Sequence, residues 1–309
     1  MSPVPSLSEN SRGILFMLAT VTGFAFGDTF VKLASADLSI AQIIIIRSLI
    51  AAPVVALVAL HQGAFAGMRR MAERFIALRA VGEVGATAIY LTALAHLDIA
   101  NATAILQIVP LATTAIAALF LGEPVGLRRW GAIGIGLLAV LLIVRPGMQG
   151  FNGWSLLALA SVGFIVLRDL SSRFLPAATQ ALAVSTLSLV VMIPLGFAML
   201  PFQSWEPLTT RAIIYCGMSG MFLSASFVSI TLAMRHGEVA VVAPFRYAIL
   251  LWAVVLQIAI FGVWPDSLTL IGSALLVATG LYTLYRERMV KGEKAAAASA
   301  LPATVPPPS

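Results

Sequence analysis

The sequence predicts an all-α integral membrane protein whose ten transmembrane helices form two inverted five-helix repeats. Three observations predict this fold class. The chain is 60% hydrophobic and 10% charged, with a mean hydropathy of +0.99, whereas a water-soluble chain has about 45–50% apolar and about 25% charged residues. Ten windows are long and apolar enough to cross a hydrocarbon core of about 30 Å. Related motifs recur about 140 residues apart.

Each predicted span is a mainly apolar window of the length that a membrane helix needs. The windows lie at 13–34, 41–60, 75–95, 101–121, 129–145, 153–171, 179–200, 211–233, 239–261 and 268–285. Short connections between them leave no room for a soluble catalytic domain. Pro53, Pro110, Pro194 and Pro244 fall inside spans, where each is either a packing kink or a hinge beside a cavity.

The second half of the chain repeats motifs of the first. Phe120-Leu121-Gly122-Glu123-Pro124 is matched by Ile260-Phe261-Gly262-Val263-Trp264-Pro265, and Gly23-Phe24 by Gly163-Phe164. Because each half holds an odd number of spans, the second half enters the membrane from the opposite side. We expect repeats at 13–147 and 153–288, a cytoplasmic N-terminus at 1–12 and a disordered cytoplasmic tail at 289–309.

The basic residues predict the orientation of the chain. If the N-terminus is cytoplasmic, inner segments hold twelve basic residues and outer loops hold two, Arg145 and Arg211. This bias places both termini in the cytoplasm, and we expect the bacterial inner membrane. The net charge of +6 then reflects orientation and contacts with membrane lipid. Since no basic stripe carries interleaved aromatic residues, nucleic-acid binding is rejected.

Several runs resemble the drug/metabolite transporter superfamily, specifically its ten-helix EamA-type branch. They are Phe26-Gly27-Asp28 through Lys32, Arg47, Phe120-Leu121-Gly122-Glu123-Pro124, Leu127-Arg128-Arg129-Trp130-Gly131 and Ala243-Pro244-Phe245-Arg246-Tyr247. The resemblance covers about 12–288 and implies a secondary transporter, in a superfamily that carries amino acids, nucleotide-like metabolites, vitamins or drugs. One departure is Gly262-Val263, where the family often has Gly-Glu.

Ionisable side chains inside the spans are candidate functional residues, because each costs about 2.5–3.5 kcal/mol near the bilayer centre even on lenient scales. They are Asp28, Lys32, Arg47, Arg79, Glu83, Arg168, Asp169 and Arg246. The four-residue spacing allows Asp28 to pair with Lys32, or Asp28 lies in a binding site. Glu83 is either a proton carrier or the partner of Arg79 in an ion pair that fixes helix register. Arg47 is expected to anchor helices or backbone carbonyls.

The predicted substrate site lies between the two halves. Its polar lining is Gln107 facing Arg246 and Tyr247, and Asp28, Glu83 and Arg168 are further candidates. Arg168 alternatively faces the cytoplasm. Aromatic side chains complete the site, as suits a flat molecule with polar edges: Phe24, Tyr90 and Phe164.

We predict neither an enzyme nor a cofactor or metal site. The sequence has no H-E-x-x-H, Walker-type or G-x-S-x-G motif, and Cys216 is its single cysteine. The expected partners are a small-molecule substrate and membrane lipid, and a homodimer is left open.

The Asp28–Lys32 and Pro244-Phe245-Arg246-Tyr247 variants are similar to a subgroup with bacterial riboflavin transporters and S-adenosylmethionine carriers. Riboflavin uptake is therefore the specific hypothesis. Its alternatives are S-adenosylmethionine transport or export of amino acids or related metabolites, and, in another class, a membrane enzyme or a non-transporting partner subunit.

Overall fold

The computed structural model describes residues 9–65, 73–122, 125–146, 152–175, 181–236 and 238–299. All regular structure in these ranges is helical. The α-helices are α1 (Glu9–Ala34), α2 (Ile40–His61), α3 (Glu73–His96), α4 (Ile99–Leu106), α5 (Val109–Phe120), α6 (Leu127–Val144), α7 (Trp154–Arg173), α8 (Ala181–Met199), α9 (Thr210–His236), α10 (Val239–Val242), α11 (Ile249–Phe261) and α12 (Ser267–Ser299). Short 3₁₀ segments cover Leu200–Phe202 and Ala243–Ala248.

Ten helical segments of the described chain are long and apolar enough to cross a membrane. Three of them combine two helical segments, and in the seventh, Ala181–Phe202, a 3₁₀ turn simply extends the end of α8. The fourth span, Ile99–Phe120, joins α4 and α5, and the ninth, Ala243–Phe261, joins a 3₁₀ segment to α11. The predicted all-α class with ten spans is confirmed. Large apolar side chains remain exposed along the spans, such as Leu138 and Leu251, and they provide the surface that faces lipid.

Local sequence fixes several helix ends. Ser39 begins α2 with a capping box, because its hydroxyl accepts from the backbone N–H of Gln42 while the Gln42 side chain accepts from the backbone N–H of Ser39. At the far ends of the fourth and ninth spans, Gly122 and Gly262 both have φ of +67°. Glycine adopts this left-handed conformation without strain, so these two motif positions end their helices alike.

The fourth and ninth spans are the two that are interrupted within the membrane. In the fourth, a turn at Gln107 and Ile108 separates α4 from α5. Pro110 stands in the first turn of α5, where its missing N–H leaves no hydrogen bond unmade. In the ninth, Pro244 lies in the 3₁₀ segment before α11. The prolines therefore mark where helices restart, whereas Pro53 and Pro194 lie inside α2 and α8.

The bundle is held together mainly by contacts between the two halves of the chain. The closest packed pairs are α1 with α9, α3 with α7, α2 with α8, and α6 with α12, and α4 also packs on α11. The side chain of Gln257 in α11 accepts from the backbone N–H of Ala100 at the start of α4 over 2.8 Å. Because successive spans alternate in direction, the connections after α1, α3, α6, α8 and α11 share one end of the bundle. We call this the first-loop end, after residues 35–39.

The predicted tail differs from the structure. Helix α12 runs on to Ser299, so 289–299 is helical rather than disordered. Alanine has the highest helix propensity, and Ala295–Ala298 continue the helix without an apolar stripe. At the other end, α1 begins at Glu9, before the predicted start of the first repeat. The tail beyond 299, the N-terminal residues 1–8, Glu123-Pro124 of the repeated motif and the seam at 147–151 lie outside the described residues.

Candidate functional site

Asp28 and Tyr90 meet near the first-loop end of the bundle. The Tyr90 hydroxyl in α3 donates to Oδ2 of Asp28 in α1 over 2.9 Å. Tyr90 is buried and lies beside Thr103 of α4, while Asp28 keeps partial exposure inside the bundle. The other carboxylate oxygen of Asp28, Oδ1, has no protein donor among the described residues and borders open space. Two predicted site residues are thus joined, and one carboxylate oxygen stays available.

Arg47 of α2 lies close enough to Asp28 for the two charges to interact, and it also interacts with Tyr90 and Cys216. Only 9% of Arg47 is exposed. None of its guanidinium N–H groups has a hydrogen-bond acceptor in the described part of the chain, yet none of its nitrogens is sealed off from open space. Of the two expected roles, the binding of backbone carbonyls is not found among the described residues, and the anchoring of helices stays a prediction.

Lys32 takes the carbonyl-binding role instead. Its ammonium donates to the carbonyl oxygens of Leu94, over 3.2 Å, and of Leu97 at the end of α3. A cation is favoured at a helix C-terminus, where carbonyls are unpaired. Lys32 forms no ion pair with Asp28 in the described residues, so the spacing of four does not produce the pair that it allows. Asp28 is left to Tyr90 and Arg47.

A second charged cluster lies toward the opposite end of the bundle, between α3, α7 and α8. Glu83 faces two arginines, with Arg168 Nη1 3.6 Å from Oε1 and Arg79 Nη2 3.7 Å from Oε2. Ser188 donates to Oε2 over 3.3 Å, and Arg168 also donates to Asp169 over 2.8 Å. The positive charges of Arg79 and Arg168 thus balance the negative charges of Glu83 and Asp169. Of the alternatives for Glu83, this geometry favours the ion pair that fixes helix register.

The aromatic candidates pack against neighbouring helices. The Phe24 ring meets Phe227 of α9 edge to face, with centroids 6.0 Å apart. The Phe164 ring covers Gly85 of α3, where an added Cβ would lie 2.2 Å from the ring. These contacts hold α1 on α9 and α7 on α3. Both rings keep partial exposure.

Among the described residues, no hydrogen bond joins the residues expected to line the site from spans four and nine. Gln107 is half-buried at the break after α4, without a hydrogen-bond partner for its side chain in the described chain. Arg246 is exposed in the 3₁₀ segment before α11, and no described residue pairs with it. Tyr247 is buried against Gly280 of α12, and its hydroxyl has no partner. Gln107 and Arg246 keep free polar groups beside helix breaks, whereas Tyr247 points into helix packing.

A polar cleft of about 290 Å³ opens at the first-loop end, lined among others by His96, Asp98 and Asn152. At its edge, Arg145 pairs with Asp266, which also accepts from the backbone N–H of Thr269 over 3.0 Å. Partial burial raises the pKa of Asp266, but the Thr269 hydrogen bonds and the Arg145 guanidinium outweigh it and hold that pKa below its ordinary value. The pair ties α6 to α12.

Arg47 is the site residue whose role the sequence did not reveal. An isolated basic residue directly after the apolar run Ile43–Ile46 indicated a functional role. The sequence did not predict which groups surround the guanidinium, because these groups come from α1, α3 and α9. Among the described residues, no cluster of three or more His, Cys, Asp or Glu side chains could hold a metal ion.

Comparison with known proteins supports the resemblance found in the sequence. Residues 11–145 match the EamA-like transporter family. The predicted resemblance to EamA-type proteins is confirmed. A solved crystal structure shares the fold with a TM-score of 0.61 and 18% identity, covering 91% of this chain and 99% of that one.

Three named relatives of this chain carry different solutes. An S-adenosylmethionine uptake transporter of Rickettsia conorii is 25% identical over 63% of this chain and 66% of its own length. A riboflavin transporter of Rhizobium johnstonii is 24% identical over 64% and 66%. A pseudopaline exporter of Pseudomonas aeruginosa is 27% identical over 84% and 92%. The match thus spans just under two thirds of the first two relatives.

Proposed function

We propose that this EamA-type chain is a secondary transporter that moves a small polar metabolite across the bacterial inner membrane by alternating access. One observation carries the proposal. Inside a bundle of ten membrane helices, Asp28 Oδ1 and the Arg47 guanidinium lack protein partners in the described chain and border open space. Charged groups in a membrane are normally paired or line an aqueous path, so this arrangement supports a solute cavity.

The packing of the helices supports two inverted repeats. If the first five spans exchange places with the last five, the pair α1–α9 becomes α7–α3, and the pairs α2–α8 and α6–α12 each map onto themselves. The broken fourth and ninth spans are also exchanged. Such a pseudo-symmetric pair of halves has two related arrangements, one open to each side of the membrane, which is the basis of alternating access.

Interrupted helices place polar groups where a solute binds. At the break after α4 the backbone N–H groups of Gln107 and Ile108 stay paired with carbonyls one turn earlier, and irregular backbone of this kind is tolerated in a membrane where protein or a cavity covers it. Gln107 at the end of α4 and Arg246 before α11 add side chains beside the two breaks. We infer that these groups contact the solute after the Asp28 region has received it.

The distribution of basic residues supports an orientation with both termini in the cytoplasm, which makes the first-loop end the periplasmic end. The polar cleft beside Arg145 and Asp266 then opens to the periplasm. A solute entering from that side meets the cleft first and the Asp28 region next.

The substrate class follows from the polar lining and the relatives. S-adenosylmethionine, riboflavin and pseudopaline are all polar metabolites, and the relatives that carry them include both uptake and export proteins. Riboflavin uptake stays a prediction beside S-adenosylmethionine uptake and export. The alternative of a membrane enzyme has no motif in the sequence to support it, and no group of three or more His, Cys, Asp or Glu side chains among the described residues could hold a metal ion.

The test is solute flux into liposomes that contain the purified protein. Labelled S-adenosylmethionine, riboflavin and amino acids are added with and without a proton gradient, and the variant Arg128→Gln, changed at an exposed residue of α6, serves as control. We expect saturable flux of at least one solute, equal in the control and absent from protein-free liposomes. Solutes that stabilise the protein against heat but are never carried would contradict the transporter assignment.

A further inference from the structure

The guanidinium of Arg47 lies inside the helix bundle and has no hydrogen-bond acceptor among the described residues. The residue is more than nine-tenths buried, with 9% exposure. Arginine presents five N–H donors in a rigid fork and stays charged. No described residue accepts from any of them, although each nitrogen borders open space. A buried donor set without acceptors is costly, so an acceptor from a bound molecule would relieve that cost.

Asp28 supplies the complementary half of the arrangement. Its Oδ2 accepts from Tyr90 over 2.9 Å, while Oδ1 borders the same kind of open space. The two charges interact, but no nitrogen of Arg47 comes within 4.0 Å of a carboxylate oxygen among the described residues. Asp28 and Arg47 thus place an acceptor and a set of donors, each without a full set of protein partners among the described residues, within reach of each other's charge.

We propose that Asp28 and Arg47 determine specificity by binding the zwitterionic head of an amino-acid-like solute. The Arg47 fork receives the carboxylate of the solute, a geometry in which two parallel N–H···O bonds form. The ammonium of the solute donates to Oδ1 of Asp28, and Tyr90 holds that carboxylate in place. With the solute bound, two positive and two negative charges neutralise one another. This inference rests on the proposed transport function.

The pair separates the solutes considered above by their chemistry. S-adenosylmethionine carries an α-amino group and an α-carboxylate, so it offers a partner to both protein charges. Riboflavin carries neither an ammonium nor a carboxylate, and it would leave both protein charges unsatisfied. A site built to form hydrogen bonds rejects a ligand that lacks the matching groups, because the polar groups of the site then stay unpaired. The structure therefore favours amino-carboxylate metabolites over flavins.

The experiment measures binding in detergent, separately from flux in liposomes. Dissociation constants are measured for S-adenosylmethionine, its decarboxylated analogue, the common L-amino acids and riboflavin. The variants are Arg47→Gln, Arg47→Lys and Asp28→Asn, with Arg211→Gln as a matched control at an exposed arginine of α9. Circular dichroism and thermal unfolding identify any variant that fails to fold, and Arg47→Lys keeps a positive charge for that case.

We expect wild type and Arg211→Gln to bind an amino-carboxylate solute at least tenfold more tightly than its decarboxylated analogue. Arg47→Gln should bind both equally, Arg47→Lys should regain part of the preference, and Asp28→Asn should weaken binding of the amine at least tenfold. Binding of riboflavin but of no amino-carboxylate, or a carboxylate preference that persists in folded Arg47→Gln, would overturn the inference. Flux of riboflavin alone would also overturn the inference, but it would agree with the proposed transport function. Binding of a solute without any flux would contradict the transport function instead.

Discussion

The hydroxyl of Tyr90 in α3 reaches across to Oδ2 of Asp28 in α1 over 2.9 Å, and it thereby fixes the carboxylate beside Arg47. The two residues come from one half of the chain but lie 62 positions apart. The bond leaves Oδ1 free and limits the directions in which the carboxylate can turn. We infer that Tyr90 is a positioning residue of the proposed site, which acts on the solute through Asp28.

Tyr90→Phe removes this hydrogen bond and keeps the ring. Because a hydrogen bond to a charged group contributes about 1.5–3 kcal/mol, we expect solute affinity to fall about tenfold or more. The matched control is Tyr247→Phe, which removes a buried hydroxyl that has no partner. It should leave affinity and flux within about twofold and preserve or raise thermal stability. Equal losses in both variants would contradict the positioning role and return Tyr247 to the binding site.

Glu83→Gln should destabilise the fold rather than abolish proton coupling. The change leaves Arg79 and Arg168 without their shared carboxylate, and breaking a buried ion pair from one side costs about 3–5 kcal/mol. We expect a clear fall in the unfolding temperature of the detergent-solubilised protein. The double variant Glu83→Gln/Arg168→Gln should lose less than the sum of the single losses, because both changes remove the same contact. A stable Glu83→Gln protein that has lost only proton dependence would instead make Glu83 a proton carrier.

Two glycines offer a matched test of how α3 packs on α7. At Gly82 an added Cβ would lie 2.7 Å from the backbone nitrogen of Arg168 and 2.8 Å from the carbonyl oxygen of Phe164, whereas at Gly163 nothing lies within 4 Å. Overpacking of this kind costs about 1–3 kcal/mol. Gly82→Ala should therefore lower the unfolding temperature. Gly163→Ala should be neutral or stabilising by up to about 1 kcal/mol, through helix propensity. The reverse order would show that α3 and α7 do not pack through Gly82.

The Arg145–Asp266 pair predicts a small pH effect at the first-loop end. The pKa of Asp266 is lowered in the folded protein, so its stabilising contribution is present above the unfolded value of about 3.9 and is lost as pH falls through the folded value. The Asp266 side chain is 43% exposed, which limits the contribution to below about 1 kcal/mol. Unfolding temperatures of wild type and Asp266→Asn should differ near neutral pH and converge well below pH 4. A difference that persists in strong acid would assign the effect to helix capping alone.

Hydropathy predicted the spans closely, because span length and apolar content are set by the bilayer. The fifth window, 129–145, corresponds to α6 (Leu127–Val144), and the eighth, 211–233, to α9 (Thr210–His236). The break in the fourth span was less predictable. Pro110 suggested it, but the turn comes earlier, at Gln107 and Ile108, since proline is accommodated in a first turn.

The sequence predicted which residues belong to the candidate site, but not which of them contact one another. Asp28 and Tyr90 were both candidates, yet the spacing suggested Lys32 as the partner of Asp28. Pairing along one helix can be inferred from periodicity, whereas contacts between α1, α2 and α3 depend on how the helices are rotated in the bundle. For that reason the position of Arg47 beside Asp28 could not be predicted from the sequence.

Chemical labelling at position 28 tests most directly whether a water-filled cavity reaches the Asp28 region. Asp28→Cys is made in a Cys216→Ser background, which removes the single native cysteine, and intact membranes are treated with a charged, membrane-impermeant thiol reagent. Ser204→Cys in an exposed loop and Leu138→Cys on the lipid-facing surface of α6 are the positive and negative controls. We predict that the cysteine at position 28 reacts within about tenfold of the rate at the loop, because open space borders this site. Reaction at position 28 only after unfolding, as expected for position 138, would contradict a solute pathway at Asp28.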